Sequence, residues 1–369
     1  MNVCLRFAIS ALLLVSVLSF GSNMQAQDDE SAAKSTKKTP DQLQNDMRWW
    51  VERQSNMIKS FGKKDSDCFL CALTGQGDDQ PHTCEKSYRR FYSLKTRDDG
   101  APWKGPEDGR AYIDAHLTFG YADFGDEVDD IYTREAFVNE IKTDCRFVPG
   151  IAACGFKKID PDDEDIYYKN IDGPTGPVTI RIDIKNSSAT PSEAGNRTLG
   201  QDGKVTMTPE QAAKTEAAEN SWFGGLSGEA ALDIYVGHNR GGGGPGMRPP
   251  NVNPKTRTTD YDAYRKNPES LNRAVSILKS NKNNPPAIVA VFACYSENYE
   301  SAAFQAASPK TAFIFSGDSA QGADLAHVFS LFDDILATRC EADVKMSFDS
   351  LEKLPYDHIG PTFIHGLFP

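Results

Sequence analysis

The sequence predicts an α/β fold, a mostly parallel sheet flanked by helices, behind an N-terminal cysteine-rich extension. Three observations predict it. Apolar runs at 231–236, 287–293 and 311–315 are rich in Val, Ile and Phe and bounded by Pro or Gly, as strands buried on both faces are. Segments of helical periodicity lie between them. From residue 178 onward the two kinds alternate, which calls for parallel strands joined by right-handed crossovers.

Taken in order, residues 1–26 hold Arg6, an apolar stretch from Phe7 to Phe20, and then small and polar residues. This is the pattern of a secretory signal, with cleavage after Ala26 or near Gly21. Residues 27–40, rich in Ser and Lys, read as a disordered leader. The region 41–110 opens on a helix at 41–61, which Asp41 can cap after Pro40. It continues through Cys68-x-x-Cys71 and His82-x-Cys84, whose spacing suits zinc or a disulfide framework; export favours disulfides.

The α/β domain spans 111–369, with its core at 178–337. Strands are predicted at 111–121 and 178–184, the latter from its alternating Val-Thr-Ile-Arg-Ile-Asp-Ile. A helix is expected at 134–143 and another at 209–222, with Thr208 as N-cap and Pro209 in the first turn. Leu271, Ala274, Val275 and Leu278 share one face of a helix at 270–280. Further helices are expected at 299–307 and 324–337. The acidic run 160–165 lacks the glycine and final glutamate of a calcium loop and reads as a solvated turn.

Composition excludes some roles. A formal net charge of -12 is wrong for a phosphate-backbone binder, so no nucleic-acid partner is expected. No apolar run reaches the roughly 18 residues that a spanning helix needs, so the mature chain should carry no membrane anchor. The expected location is secreted or periplasmic.

Export also permits disulfides. After Cys4 there are seven cysteines, an odd number, so at least one is left over within the chain. Cys145 and Cys154, nine positions apart, suit a local bridge; Cys68, Cys71, Cys84 and Cys340 complete the candidates. Cys294, at a strand end, is the choice for the remaining thiol, unless it pairs with Cys340.

Gly241-x-Gly243-x-x-Gly246 matches the dinucleotide fingerprint in letters, but Pro245, Pro249 and Pro250 oppose the helix it requires. The glycines read instead as a mobile loop at a cleft rim. Gly317-Asp318-Ser319 lacks the context of a serine nucleophile, though Asp318 ends a strand. His82, His116, His327, His358 and His365 read as surface or packing residues.

His238 differs, because it directly follows an apolar strand; Cys294 does the same 56 positions later, one crossover away. Ligands bind open α/β sheets at the carboxyl ends of strands. An imidazole there can take a thiol's proton, and backbone N–H groups can hold the oxyanion that forms after attack. The competing reading is a buried structural cysteine and an incidental histidine.

Val236-Gly237-His238 followed by Phe292-Ala293-Cys294, with the intervening helices and the strand at 311–315, resembles the caspase–legumain–gingipain superfamily of cysteine peptidases over 178–337. The resemblance implies a caspase-like three-layer sandwich and an exported endopeptidase acting on a protein or peptide. In that scheme Cys294 is the nucleophile, His238 the general base and acid, and the amides of Cys294 and Asn239 the oxyanion hole. No metal or organic cofactor is implied. Where members have glycine after the histidine, Asn239 stands here. Arg240 and Asp318 are candidates for substrate contact, and they pull specificity in opposite directions. The alternative is a non-catalytic exported binding protein on the same scaffold.

Overall fold

Each apolar run can bury both its faces only between neighbouring strands and covering helices. The structure, a computed structural model, describes residues 88, 91, 92 and 111–366, apart from 127, 148–150, 161–164, 175, 318–323 and 352–360. The signal, leader and helix expected within 1–61, together with Cys68, Cys71, His82, Cys84, Asp318 and His358, lie outside the described residues.

The strands are β1 (Ala111–Phe119), β2 (Lys157–Lys158), β3 (Ile166–Gly173), β4 (Gly176–Asn186), β5 (Arg197–Leu199), β6 (Val205–Met207), β7 (Leu232–Gly237), β8 (Ile288–Ala293), β9 (Ala312–Ser316) and β10 (Thr362–His365). Eight of them form one sheet in the order β10-β9-β8-β7-β1-β4-β3-β2, while β5 and β6 form a separate hairpin. From β4 through β1, β7 and β8 to β9 every pairing is parallel. The edges are antiparallel, with β10 on β9 and β3 turning back on β4.

Helices cover both faces. On one side lie α1 (Asp130–Ile141), α6 (Asp324–Leu336) and α7 (Glu341–Leu351). Phe137, Val328, Phe332 and Phe348 from these helices pack there on Ile234, Phe292 and Ile314. On the other side lie α2 (Pro209–Gly224), α4 (Glu269–Ser280) and α5 (Ser296–Ala307); α3 (Tyr261–Lys266) is a short helix before α4. Trp222, Leu278 and Phe304 pack there against Tyr235, Val291 and Phe315. The period of two along β8 is visible in this division: Ile288, Ala290 and Phe292 face the first core, Val289, Val291 and Ala293 the second. Full burial of each such side chain contributes roughly 1.5–3 kcal/mol. Thr208 caps α2, accepting from Gln211 N at 3.2 Å.

Some expectations need correction. The acidic run is more than a solvated turn at its end: Asp165 accepts from Arg134 (2.9 Å) and Lys185 (2.8 Å), tying α1 to β4. The glycine loop is no mobile rim, since Gly243, Gly244, Pro245, Gly246 and Met247 are all buried. A side chain on Gly242 would meet the Tyr299 ring at 2.7 Å, and one on Gly244 the Leu271 backbone at 2.5 Å. Tyr88, Phe91 and Tyr92 also belong to the first core, with Tyr88 Oη donating to Arg339 O at 2.6 Å. Cys145 and Cys154 are joined by a disulfide, and Cys340 is held in one as well.

Candidate active site

The chain leaves β1 toward β4 on one side and returns to β7 on the other. Strand order therefore reverses at β1, and ligands of open α/β sheets bind at such a reversal, beyond the carboxyl ends. Asp123 follows β1, His238 follows β7 and Cys294 follows β8, so three adjacent parallel strands each deliver one chemically capable side chain. Gly237 pairs with Ala293 in the register, and parallel neighbours lie about 4.8 Å apart. His238 and Cys294 are the next residues on those two strands.

Local packing explains the turn at His238. Gly237 has φ +151°, and a Cβ there would stand 2.8 Å from the Tyr235 hydroxyl and 3.0 Å from Gly120 Cα. A Cβ on Gly120 would overlap the same hydroxyl at 2.0 Å. These two glycines let β1 and β7 close around the Tyr235 phenol. That phenol donates to His238 O at 3.0 Å and accepts from Gly246 N at 2.8 Å, and Gly246 N also reaches His238 O at 3.0 Å. Burial pushes the Tyr235 pKa far up, so the phenol keeps its proton.

Cys294 is half-buried and is a thiol outside any disulfide, which removes the pairing with Cys340. The chain passes from it into α5 through Tyr295, whose φ of 54° is left-handed. For a residue with a side chain this costs on the order of 1–2 kcal/mol, and such strain clusters at functional turns. Ser296 pins the turn, its hydroxyl donating to Val291 O (2.7 Å) and accepting from Ser316 N (2.9 Å).

Behind His238 is a charged assembly. His238 Nδ1 lies 3.2 Å from Asp123 Oδ2, which also accepts from the Tyr261 hydroxyl at 2.5 Å. Arg240 Nη1 pairs with Asp123 Oδ1. The Nη2 of Arg240 donates to the carbonyls of Tyr121 (2.8 Å), Ala122 (3.1 Å) and Arg248 (3.2 Å). Arg240 is 2 % exposed, so its guanidinium secures the loop after β1 and is not presented to a substrate. Its burial depresses its pKa.

Asn239 is equally buried. Its Oδ1 accepts from Gly244 N at 3.2 Å, while its Nδ2 has no acceptor among the described residues. A buried donor of this kind wants an acceptor. Asp126, exposed, completes the neighbourhood: one oxygen each of Asp123 and Asp126 and a ring nitrogen of His238 lie within 4.8 Å of one another. Three such groups can in principle hold a metal ion. Here Asp123 already meets a guanidinium, a phenol and an imidazole, so its charge is compensated without one.

The other described histidines are engaged elsewhere: His116 Nδ1 with Ser221 O (2.8 Å), His365 with Glu297 (2.9 Å), and His327 against the Phe292 and Phe348 rings. Sequence reasoning missed Asp123, although the signal was available: an apolar strand, then Gly120-Tyr121-Ala122-Asp123, repeats the strand-end logic that singled out His238. Tyr235, Tyr261 and Asp126 carry no such signal. No family model, curated protein or solved structure matches this chain.

Proposed function

We propose that this chain is an exported cysteine peptidase with a caspase-like sandwich, in which Cys294, His238 and Asp123 act as nucleophile, base and orienting acid. The observation that supports the reading is the register Gly237↔Ala293: adjacent strands end on His238, whose imidazole is backed by a carboxylate, and on the thiol residue Cys294. Nδ1 faces Asp123, which leaves Nε2 for the Cys294 proton. The thiolate then attacks the carbonyl carbon of the scissile bond, and the imidazolium returns the proton to the departing amine. Water, deprotonated by the same imidazole, hydrolyses the thioester and restores the thiol. The Cys294 and Asn239 backbone amides are the donors for the oxyanion. Export agrees with the Cys145–Cys154 disulfide, since such bonds persist in oxidising compartments.

Alkylation of the unreduced mature protein at neutral pH tests this. Iodoacetamide should modify Cys294 quickly, and His238→Ala should slow that reaction at least roughly tenfold. A peptide library should be cut by wild type and not by Cys294→Ala. A Cys294 no faster than a simple thiol, with the library left intact, would replace this reading by the non-catalytic binding scaffold.

A further inference from the structure

We infer that the Cys145–Cys154 disulfide is a thiol–disulfide exchange site, reduced in the folded protein by a dithiol, with Lys169 stabilising the sulfur that leaves. This role is independent of the chemistry at Cys294. β3 turns Tyr167 and Ile171 toward the first core, and the period of two puts Lys169 on the same side between them. A core-facing position thus carries an ammonium group. Its Nζ donates to Ala152 O at 2.5 Å and lies 3.8 Å from Cys145 Sγ and 4.0 Å from Cys154 Sγ. Burial lowers the Lys169 pKa, against the charge of Asp333, which raises it.

The segment around the bridge is held by other means as well. Asp333, on α6, accepts at Oδ1 from the amides of Ala152 (2.5 Å) and Ala153 (2.8 Å). Gly155 N donates to Thr143 O (2.8 Å) and Phe156 N to Ile141 O (2.9 Å). The cysteines are only nine positions apart, so their bond constrains little of the unfolded chain. The fold therefore survives its opening.

The two sulfurs are unequal. Cys145 is half-buried and Cys154 is fully buried, so an incoming thiolate attacks Cys145 Sγ. The disulfide breaks, a mixed disulfide forms on Cys145, and the electron pair leaves on Cys154 Sγ as a thiolate beside the ammonium. A neighbouring cation lowers a thiol's pKa, and a leaving thiol of lower pKa departs faster. The reductant's second thiol then attacks its own sulfur in the mixed disulfide and releases Cys145. The dithiol is oxidised to a disulfide by two electrons, and its two protons end on Cys145 and Cys154. Ile151 O lies 2.9 Å from Cys154 Sγ, so the new S–H has an acceptor in place.

The test treats the native protein with dithiothreitol at neutral pH, quenches with a maleimide at intervals and maps labelled cysteines by peptide mass. Cys145 and Cys154 should be labelled together while far-UV circular dichroism stays unchanged. Lys169→Met should slow this roughly tenfold or more. A lysine that only fastened the loop would give the opposite sign, since its loss would loosen the loop and speed reduction. With glutathione in place of the dithiol, the trapped mixed disulfide should sit on Cys145. Labelling of the pair only when urea unfolds the chain overturns the assignment. So does Lys169→Met reacting as fast as wild type or faster, or glutathione trapped on Cys154. Where Lys169→Met does not fold, the wild-type rate and the site of glutathione attack decide.

Discussion

The carboxyl at the strand ends and the carboxyl on the helix behind them are both buried, and they are treated in opposite ways. Asp123 meets an arginine, a tyrosine hydroxyl and a histidine ring. Glu300, on α5 six residues beyond Cys294, is fully buried, and neither of its oxygens has a hydrogen-bond partner among the described residues. Burial raises its pKa from 4.5 to about 8. Asp130, at the start of α1, falls between: it accepts from Ser187 N, Ser187 Oγ and Ser188 N but pairs with no cation among the described residues, and burial raises its pKa to about 6. A buried carboxyl keeps its charge in proportion to the donors and cations aimed at it. Of these three acids, only Asp123, beside His238, is paired with a cation among the described residues.

The sharpest way to break this contrast is Asp123→Asn. It should lower kcat/KM by roughly 10²–10⁴, the range of a general base that has lost its orienting partner, and shift the acidic limb of the pH–rate profile. Unchanged activity would make the Asp123–His238 contact ornamental. Next comes Arg240→Ala, which leaves Asp123 without its cation and three carbonyls without their donor. Breaking a buried pair from one side costs roughly 3–5 kcal/mol, so the urea midpoint should fall steeply. A fall under about 1 kcal/mol would mean that the pair is effectively solvated.

How much of this was legible in the sequence follows from what each signal depends on. β7, β8 and β9 were readable because a strand buried on both faces is apolar at nearly every position, the buried Asp233 of β7 being the chief departure. β3 was not: Tyr-Tyr-Lys-Asn-Ile mixes classes, since this near-edge strand is buried only in part. His238 and Cys294 were readable as interruptions of apolar runs. That they are neighbours is a matter of strand order, which composition does not encode. Asp123 becomes meaningful only once β1 is known to lie beside β7, and Arg240, a candidate for substrate contact, is buried instead. Its burial depends on the Tyr121 and Ala122 carbonyls, more than a hundred positions away.

Glu300→Gln sharpens the other side of the contrast. The folded pKa lies above the unfolded one, so the stability linked to the Glu300 proton is complete below about pH 4.5 and is lost as pH rises to about 8. Glutamine has no proton to lose. Urea midpoints should therefore diverge from pH 5 to pH 8, with the variant the more stable at the upper end. Parallel curves would mean that Glu300 is hydrated and ionises as it does in the unfolded chain.

The smallest effect belongs to Ser187→Ala, which removes one of the three donors on Asp130 while keeping both backbone amides. A single hydrogen bond contributes about 1 kcal/mol net, somewhat more when the acceptor is charged. Asp130 is charged only above its raised pKa of about 6, so the loss should be near its full size at pH 8 and smaller at pH 5. Donors aimed at an ionised acid matter most when the acid is ionised, and this pH dependence separates that account from loss of packing around a residue that is fully buried. A loss equal at both pH values would make Ser187 a matter of volume, and would leave Asp130 held by its backbone partners alone.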